Sequence, residues 1–493
     1  MLKINGNLQR ILILFLILVF FCHFIFISFL YNELGSDNAY WHYLGWNWYN
    51  FRHIQEINLI ENKPPGMMFL YFLSSKFYDV NFLPLKILFI LIKIITGLLI
   101  YIICGLLTNQ KQIQLYTLLI YFLLLGWKQF DSYQPVYSEV VTNFISTLCI
   151  YIYLKYKKIS KFIFIGILFS VGFFFKQTNL IFFIGFLFLI YYHSKKSKYK
   201  NITITALSFV IFFFLIFIFF ISFGLNFKGI VFQIFNFLNF GTDTLAQISS
   251  RVKFFFIRWT GAERVFLFFT LLYFIYFFVF FSKDKLAKSL FLILVFVGMG
   301  AHAVGTITGH QLIESITLFL ILFSLFLDKI YKDLSFLKNN FFLILAILIL
   351  FFPPINLQEY KDNLENFSIR DKENNEIKKI KKYVDQFFLN PSDSIYVHER
   401  DAELLLQLKK RSASDFVTNT FLYNSYDKGQ PRMKEIERVQ NEIKFNKPKM
   451  IILLSTYKSE APYIERINFF DDILTKYRLV KKISRYDLYL LKE

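Results

Sequence analysis

The sequence predicts a multi-pass α-helical membrane protein of about eleven spans that ends in a small α/β domain, and three observations carry that reading. Hydrophobic residues make up 56% of the 493 positions and aromatic residues 21%, with Phe alone occurring 67 times; ordinary globular and disordered classes do not have this composition. The apolar residues fall in runs of about 15 to 25, close to the ~20 residues needed to cross a hydrocarbon core. Beyond Pro353-Pro354 the composition changes abruptly to one rich in Lys, Glu, Asp and Asn.

Apolar spans read at 11–31, 84–107, 113–126, 137–154, 162–175, 178–192, 202–223, 265–281, 290–305, 312–327 and 341–353. The first follows Lys3 and Arg10 as a signal peptide would, but Phe26, Phe29 and Leu30 occupy the place of a small-residue cleavage site, so it is read as a span. Segments 1–10, 108–112, 155–161, 193–200, 282–289 and 328–340 hold 17 Lys/Arg against Asp284, Asp328 and Asp333, a net of +14 out of +20 for the chain. These short basic segments recur after every second span and mark the cytoplasmic side. Most of the positive charge is thus an insertion signal, and nucleic acid is not expected as a partner.

The basic loops at 155–161 and 193–200 must share one side, so the 31 residues between them cross an even number of times. That parity predicts two helices of about 14 residues meeting at Lys176-Gln177-Thr178-Asn179. At 1.5 Å per residue each reaches about 21 Å, short of a ~30 Å core, so Lys176 is expected below the outer surface in a cavity open to it.

With the amino terminus inside, the outer face receives a long first loop (32–83), a short one near 127–136, a basic loop (224–264) and the tail. The chain then divides into a transmembrane part, 1–355, and an extracytoplasmic α/β domain, 356–493. Within the latter, strands are expected at 394–398, 449–455 and 486–491, and helices near 401–411, 432–445 and 464–478. Cys22, Cys104 and Cys149 lie in apolar runs and read as packing residues.

Ionisable groups near the outer surface are few, so each carries information. The first loop opens with Gly35-Ser36-Asp37-Asn38-Ala39-Tyr40-Trp41, and later reads Glu61-Asn62-Lys63-Pro64-Pro65-Gly66. Asp37 sits just past the first span, near the membrane–water boundary, and the Pro pair holds Lys63 in a stiff extended segment. An anion and a cation beside an interfacial cavity suit a reaction on a lipid-linked phosphate, although a lone Asp after a span is commonly a solvated cap and Pro-Pro a simple turn. Glu139 at the mouth of a span suits a helix N-terminus. Arg258 and Arg264 flank Trp259 in a loop that equally suits lipid head groups. Trp41, Trp46, Trp48 and Tyr49 read most simply as an interfacial aromatic belt, with stacking on a sugar as the alternative. Glu314, near the start of a span, is costly to bury and is expected to pair with a cation such as Lys176 or His310.

Taken in order, these motifs resemble the GT-C glycosyltransferases of the protein O-mannosyltransferase and lipid A aminoarabinose transferase type. Asp37-Asn38-Ala39-Tyr40 and Lys63-Pro64-Pro65 are similar to that family's first-loop pair. Gln134-Pro135-Val136-Tyr137-Ser138-Glu139 is similar to its acid-bearing element, and Phe175-Lys176-Gln177-Thr178 stands where relatives carry a short Lys turn. Thr308-Gly309-His310-Gln311 resembles the family's Gly-x-His-Tyr stretch. Two departures stand out: Asn38 replaces a second acid, and Gln311 replaces Tyr.

The resemblance implies inverting transfer of a sugar from a polyprenyl-phosphate-linked donor to a lipid, glycan or protein acceptor on the extracytoplasmic face of a plasma (inner) membrane. On that reading Asp37 is the catalytic base. Lys63, Lys176, Arg258, Arg264 and His310 are candidates for the donor phosphate, and Tyr40, Asp131 and Glu139 for positioning acceptor or sugar. No cofactor is assigned; oxygen ligands would favour Mg²⁺ or Mn²⁺. A polysaccharide polymerase or ligase using lipid-linked oligosaccharide, and a lipid-linked sugar flippase or transporter, are the alternatives, the last weakened by the lack of paired halves.

Overall fold

The computed structural model describes residues 6–30, 36–52, 64–108, 110–125, 136–194, 197–235 and 313–333, short pieces within 286–294, and, in the C-terminal part, 375–388, 390, 393–398, 402–415, 423–424, 430–431, 433–454 and 470–492. The helices of the bundle are α1 (Gly6–Leu30), α2 (Ser36–Phe51), α3 (Gly66–Tyr78), α4 (Leu83–Thr108), α5 (Lys111–Leu125), α6 (Ser138–Lys155), α7 (Ser160–Phe173), α8 (Asn179–His193), α9 (Lys198–Ser222), α10 (Phe227–Phe235) and α11 (Ile313–Asp333).

Among the described residues, three segments are long and apolar enough to cross a membrane: Arg10–Phe29, Leu83–Thr108 and Lys198–Ser222. Their outward faces are apolar, as on α9, where Leu207, Ile211, Phe214 and Ile218 are exposed; an apolar face left outside a packed bundle is what lipid solvates. The expected spans at 265–281 and 341–353, and most of 290–305, fall outside the described residues.

Two short helices replace one long crossing between the basic loops. α7 has 14 residues and α8 has 15, and they are joined by a tight turn in which the Phe175 and Lys176 amides both donate to the Gly172 carbonyl at 3.0 Å. Polar Lys176-Gln177-Thr178 stops the apolar run, and Gly172 leaves room for the Asn179 amide, which a Cβ there would meet at 2.7 Å.

The segment 32–83, expected as a long loop, holds α2 and α3, packed closely together. A Cβ on Gly45 would meet Tyr71 Cβ at 2.5 Å, so glycine permits the crossing. Neither the aromatic belt nor the sugar platform describes its tryptophans, since Trp41, Trp46 and Trp48 are buried. Trp48 packs on Phe69, Phe72 and Phe220 and donates Nε1–H to the Phe223 carbonyl at 2.7 Å. Burying the rings in this joint removes a large apolar area from solvent, the main favourable term of folding.

Contacts sort the helix ends into two groups. One end gathers the α2–Phe223 contact, the α7–α8 turn and the starts of α6 and α11. The other joins Gln110 Nε2 to Asp328 Oδ1 at 2.9 Å and Tyr153 OH to His193 Nδ1 at 3.0 Å, among the basic segments.

In the C-terminal part the strands are β1 (Ser394–His398), β2 (Arg411–Ser412), β3 (Tyr423–Asn424), β4 (Gln430–Pro431), β5 (Met450–Leu454), β6 (Tyr477–Ile483) and β7 (Tyr486–Leu491). A five-stranded sheet runs β2-β1-β5-β7-β6, with β1 parallel to β2 and β5 and the other pairs antiparallel. β1, β5 and β7 lie where the sequence places strands. β6 corrects the helix expected to continue through 478, since the chain already turns into a strand at Tyr477. The sheet meets the bundle through Tyr43 of α2, whose hydroxyl donates to the Lys410 carbonyl at 3.0 Å and accepts the Ser412 amide at 2.7 Å. Lys409 pairs with Asp79 at the same contact.

Candidate active site

Three elements converge on Lys176 at the end of the bundle near α2 and α3. Its Nζ lies 2.8 Å from Glu139 Oε1, in the first turn of α6, and 3.2 Å from Glu314 Oε1, in the first turn of α11. The carboxylates are almost wholly buried, at 2% and 0% side-chain exposure, while Lys176 keeps 11%. Lys176 is therefore the member of the trio with the most open face. The trio carries one cation and two anions, a formal charge of −1.

Hydroxyls complete the carboxylate shells. Ser138 Oγ donates to Glu139 Oε2 at 3.0 Å. Thr142 Oγ1 donates to Glu314 Oε1 at 2.9 Å, and Thr178 Oγ1 approaches both Glu314 oxygens, at 3.0 and 3.1 Å. Buried charges persist only when paired and hydrogen-bonded in this way.

The Pro-Pro-Gly end of the first-loop motif docks on the same turn. The Gly66 amide donates to the Phe174 carbonyl at 2.7 Å, and a Cβ on Gly66 would overlap that carbonyl oxygen. A side chain at 66 would push the segment off the turn, which gives the glycine its reason. Phe174 is in turn stacked on Phe213 of α9, with ring centroids 5.2 Å apart.

The structure thus brings together Lys176 and Glu139, and it pairs Glu314 with Lys176. Tyr40 is buried on α2. Asp37 lies in the first turn of α2, and its side chain is outside the described residues, as are Lys63, Asp131, Arg258, Arg264 and His310. Thr142 escaped the sequence reading, and Thr178 entered it as part of the Lys turn with no role of its own; the signal was available for Thr142, which follows Glu139 by three residues and so shares its helix face. Among the described residues no group of three or more His, Cys, Asp or Glu stands together to hold a metal ion, and Glu139 and Glu314 already share an ammonium.

Residues 62–223, which include the Pro-Pro-Gly segment, Glu139 and the Lys176 turn, match the family model for dolichyl-phosphate-mannose-protein mannosyltransferase. ArnT from Cupriavidus metallidurans, solved in the apo state, superposes over 96% of this chain and 97% of its own, with a TM-score of 0.51 and 12% identity. The chain has a GT-C glycosyltransferase fold. The oligosaccharyltransferase AglB from Archaeoglobus fulgidus, in complex with an inhibitory peptide and a dolichol-phosphate, gives a TM-score of 0.54 at 10% identity over 98% of this chain and 75% of that one. An oligosaccharyltransferase structure from the same organism, with Zn and sulfate, gives 0.52 at 11% identity over 95% and 73%. No curated protein sequence matches the chain. The fold is thus shared along nearly the full length of the chain, while the family model covers residues 62–223, which hold Glu139 and Lys176 but not Glu314.

Proposed function

We propose that the chain is an inverting membrane glycosyltransferase that moves a sugar from a polyprenyl-phosphate-linked donor to a lipid, glycan or protein acceptor on the extracytoplasmic face of a plasma membrane. The observation that carries this reading is the junction of three family-like motifs. The segment after Lys63 is bonded at Gly66 to the turn that bears Lys176, and Lys176 is held by Glu139 from the third motif. The basic segments at the opposite end of the bundle support an extracytoplasmic position for this end.

In the reaction the acceptor hydroxyl oxygen forms a bond to the anomeric carbon as the carbon–oxygen bond to phosphate breaks. The polyprenyl phosphate leaves with the electron pair, and the hydroxyl proton passes to the Asp37 carboxylate. A single displacement puts base and leaving group on opposite faces of the sugar and inverts the carbon. Charge accumulates on the phosphate, and fixed cations in a water-poor site stabilise it most effectively. Lys176 has three N–H donors, of which Glu139 and Glu314 take two, leaving one for a phosphate oxygen. Because its own cluster is net negative, Lys63, Arg258, Arg264 and His310 are assigned the greater share of the phosphate charge. Tyr40, Asp131 and Glu139 are assigned to acceptor and sugar positioning. The apolar faces of the bundle suit the isoprenoid tail.

Asp37→Asn keeps the size of the side chain and removes the base. Transfer from a panel of polyprenyl-phosphate sugars is expected to fall about 10²- to 10⁴-fold in folded, full-length protein. Transfer at the unmodified rate would remove Asp37 from the chemistry. Mass spectrometry of envelope lipids, glycans and proteins from a deletion strain identifies the conjugate that loses a sugar, and with it the acceptor.

A further inference from the structure

Glu314 belongs to none of the family-like motifs, yet it binds three residues of the cluster. Its Oε1 is a common acceptor for Thr142 at 2.9 Å, Thr178 at 3.0 Å and Lys176 at 3.2 Å. Oε2 adds a second approach to Thr178 at 3.1 Å. One carboxylate therefore grips the α7–α8 turn at two residues and ties it to α6. An ammonium alone sets orientation poorly, being a compact charge with rotating donors, whereas the Thr178 hydroxyl fixes the backbone two residues on.

The grip is itself anchored. One turn deeper, Thr147 of α6 and Thr317 of α11 share a hydrogen bond of 2.7 Å between their hydroxyls, which registers the two helices so that Glu314 meets Thr142. Gly66 hangs on the same turn through Phe174. A shift of the turn would consequently displace both Lys176 and the Pro64-Pro65-Gly66 segment.

We propose that Glu314 is a positioning residue, one that holds the Lys176 turn and the first-loop segment docked on it in the geometry needed for sugar transfer. Its effect on turnover rests on the glycosyltransferase reading; its effect on the turn does not. The position of Oε1 separates this role from mere charge neutralisation. Glu314→Gln, with its amide oxygen at that point, still accepts from Thr142, Thr178 and Lys176 while losing the negative charge, and Glu314→Ala loses both.

The test uses full-length protein in detergent and two readouts: amide hydrogen exchange over 174–181, and kcat and KM for transfer per folded enzyme. Glu314→Ala is expected to speed exchange across the turn about 10-fold or more and to lower kcat about 100-fold, the scale of a misplacement of roughly 1 Å. Glu314→Gln is expected to stay within about 3-fold of the unmodified protein in both. Thr178→Val removes one anchor and leaves both ion pairs; it is the more conservative variant if Glu314→Ala folds poorly. It is expected to speed exchange and lower kcat about 10-fold, with affinity for farnesyl phosphate, used as the lipid-phosphate probe, within about 2-fold of the original.

Unchanged exchange in both Glu314→Ala and Thr178→Val overturns the proposal, as does a Gln variant as impaired as the Ala one, which would point to charge. If the unmodified protein transfers no sugar from any polyprenyl phosphate, the glycosyltransferase reading fails, and the exchange data still decide whether Glu314 holds the turn.

Discussion

In the helical bundle the Lys176 ammonium is held between two buried carboxylates, whereas in the C-terminal sheet the more deeply buried His398 is kept neutral, its pKa lowered to about 4 by removal from water. His398 sits on β1 beside the Tyr396 hydroxyl, 3.0 Å from Nδ1, and against the edge of the Phe470 ring. The sheet treats a titratable side chain as packing and forgoes the charge. The bundle assembles two acids and three hydroxyls around a charge that a Met or Leu would avoid needing. A buried ion pair seldom adds stability over an apolar replacement of the same volume, so its presence marks a place where charge is used.

Lys176→Met tests the contrast with the largest expected effect. Removal of the ammonium leaves Glu139 and Glu314, both within 3.2 Å of the vacated nitrogen, as uncompensated buried anions. The expected cost is about 3–5 kcal/mol, read as loss of thermal stability in detergent. Combining it with Glu139→Gln and Glu314→Gln should restore most of that stability without restoring transfer. A single variant as stable as the original would mean that the charges matter as little to this end of the bundle as His398's charge does to the sheet.

Acid should act on the sheet with the opposite chemistry. With a folded pKa of about 4 against 6.5 for the free side chain, His398 contributes fully above pH 6.5, and that contribution is lost as the pH falls toward 4. At about 1.36 kcal/mol per pH unit the loss between pH 6.5 and 5 is roughly 2 kcal/mol. His42 on α2 acts in the same direction: burial lowers its pKa to about 4, partly offset by a bond to the Asp79 carbonyl and by the Asp79 charge. Hydrogen exchange at 394–398 measured against pH isolates the sheet. His398→Phe should flatten its acid limb while leaving the His42 share. An unaltered limb would show that His398 is not the group that takes up the proton.

The α7–turn–α8 arrangement was legible because it follows from parity: two basic loops on one side, 31 residues apart, require an even number of crossings between them. That Lys176, Glu139 and Glu314 are informative was also legible, because ionisable groups are rare there. The pairing of Glu314 with Lys176 was expected too; that Glu139 joins it at the same nitrogen was not, since the three residues come from three elements far apart in the chain. The α2–α3 pair stayed hidden for a related reason. Its Trp and Tyr residues give no clean helical stripe, and the pair packs on the distant end of α9, where Trp48 meets Phe220 and Phe69 meets Phe219 and Phe223. β6 was misread because Tyr477-Arg478-Leu479-Val480-Lys481-Lys482-Ile483 is an edge strand, where lysines guard against pairing with other chains and mask the period of two.

The smallest expected effect concerns a second buried lysine in the bundle. Lys93 lies on α4, seven residues beyond Lys86 and so on much the same face. Lys86 Nζ donates to the Phe29 carbonyl of α1 at 3.1 Å, and Lys93 Nζ stands 5.6 Å from the centre of the Phe24 ring. Ten residues of helix place Lys93 about 15 Å along α4 from Leu83, deep in the bundle. A ring contact of this kind is worth about 0.5–2 kcal/mol, and Met fills nearly the same volume with a flexible apolar chain. Lys93→Met should shift stability by no more than about 2 kcal/mol, less than Lys176→Met, and leave transfer within about 2-fold, measured in the same detergent. If Lys93→Met abolished transfer in a folded protein, a buried cation would matter on α4 as well as in the Lys176 turn, and the distinction between the two lysines would have to be redrawn by their positions along the bundle.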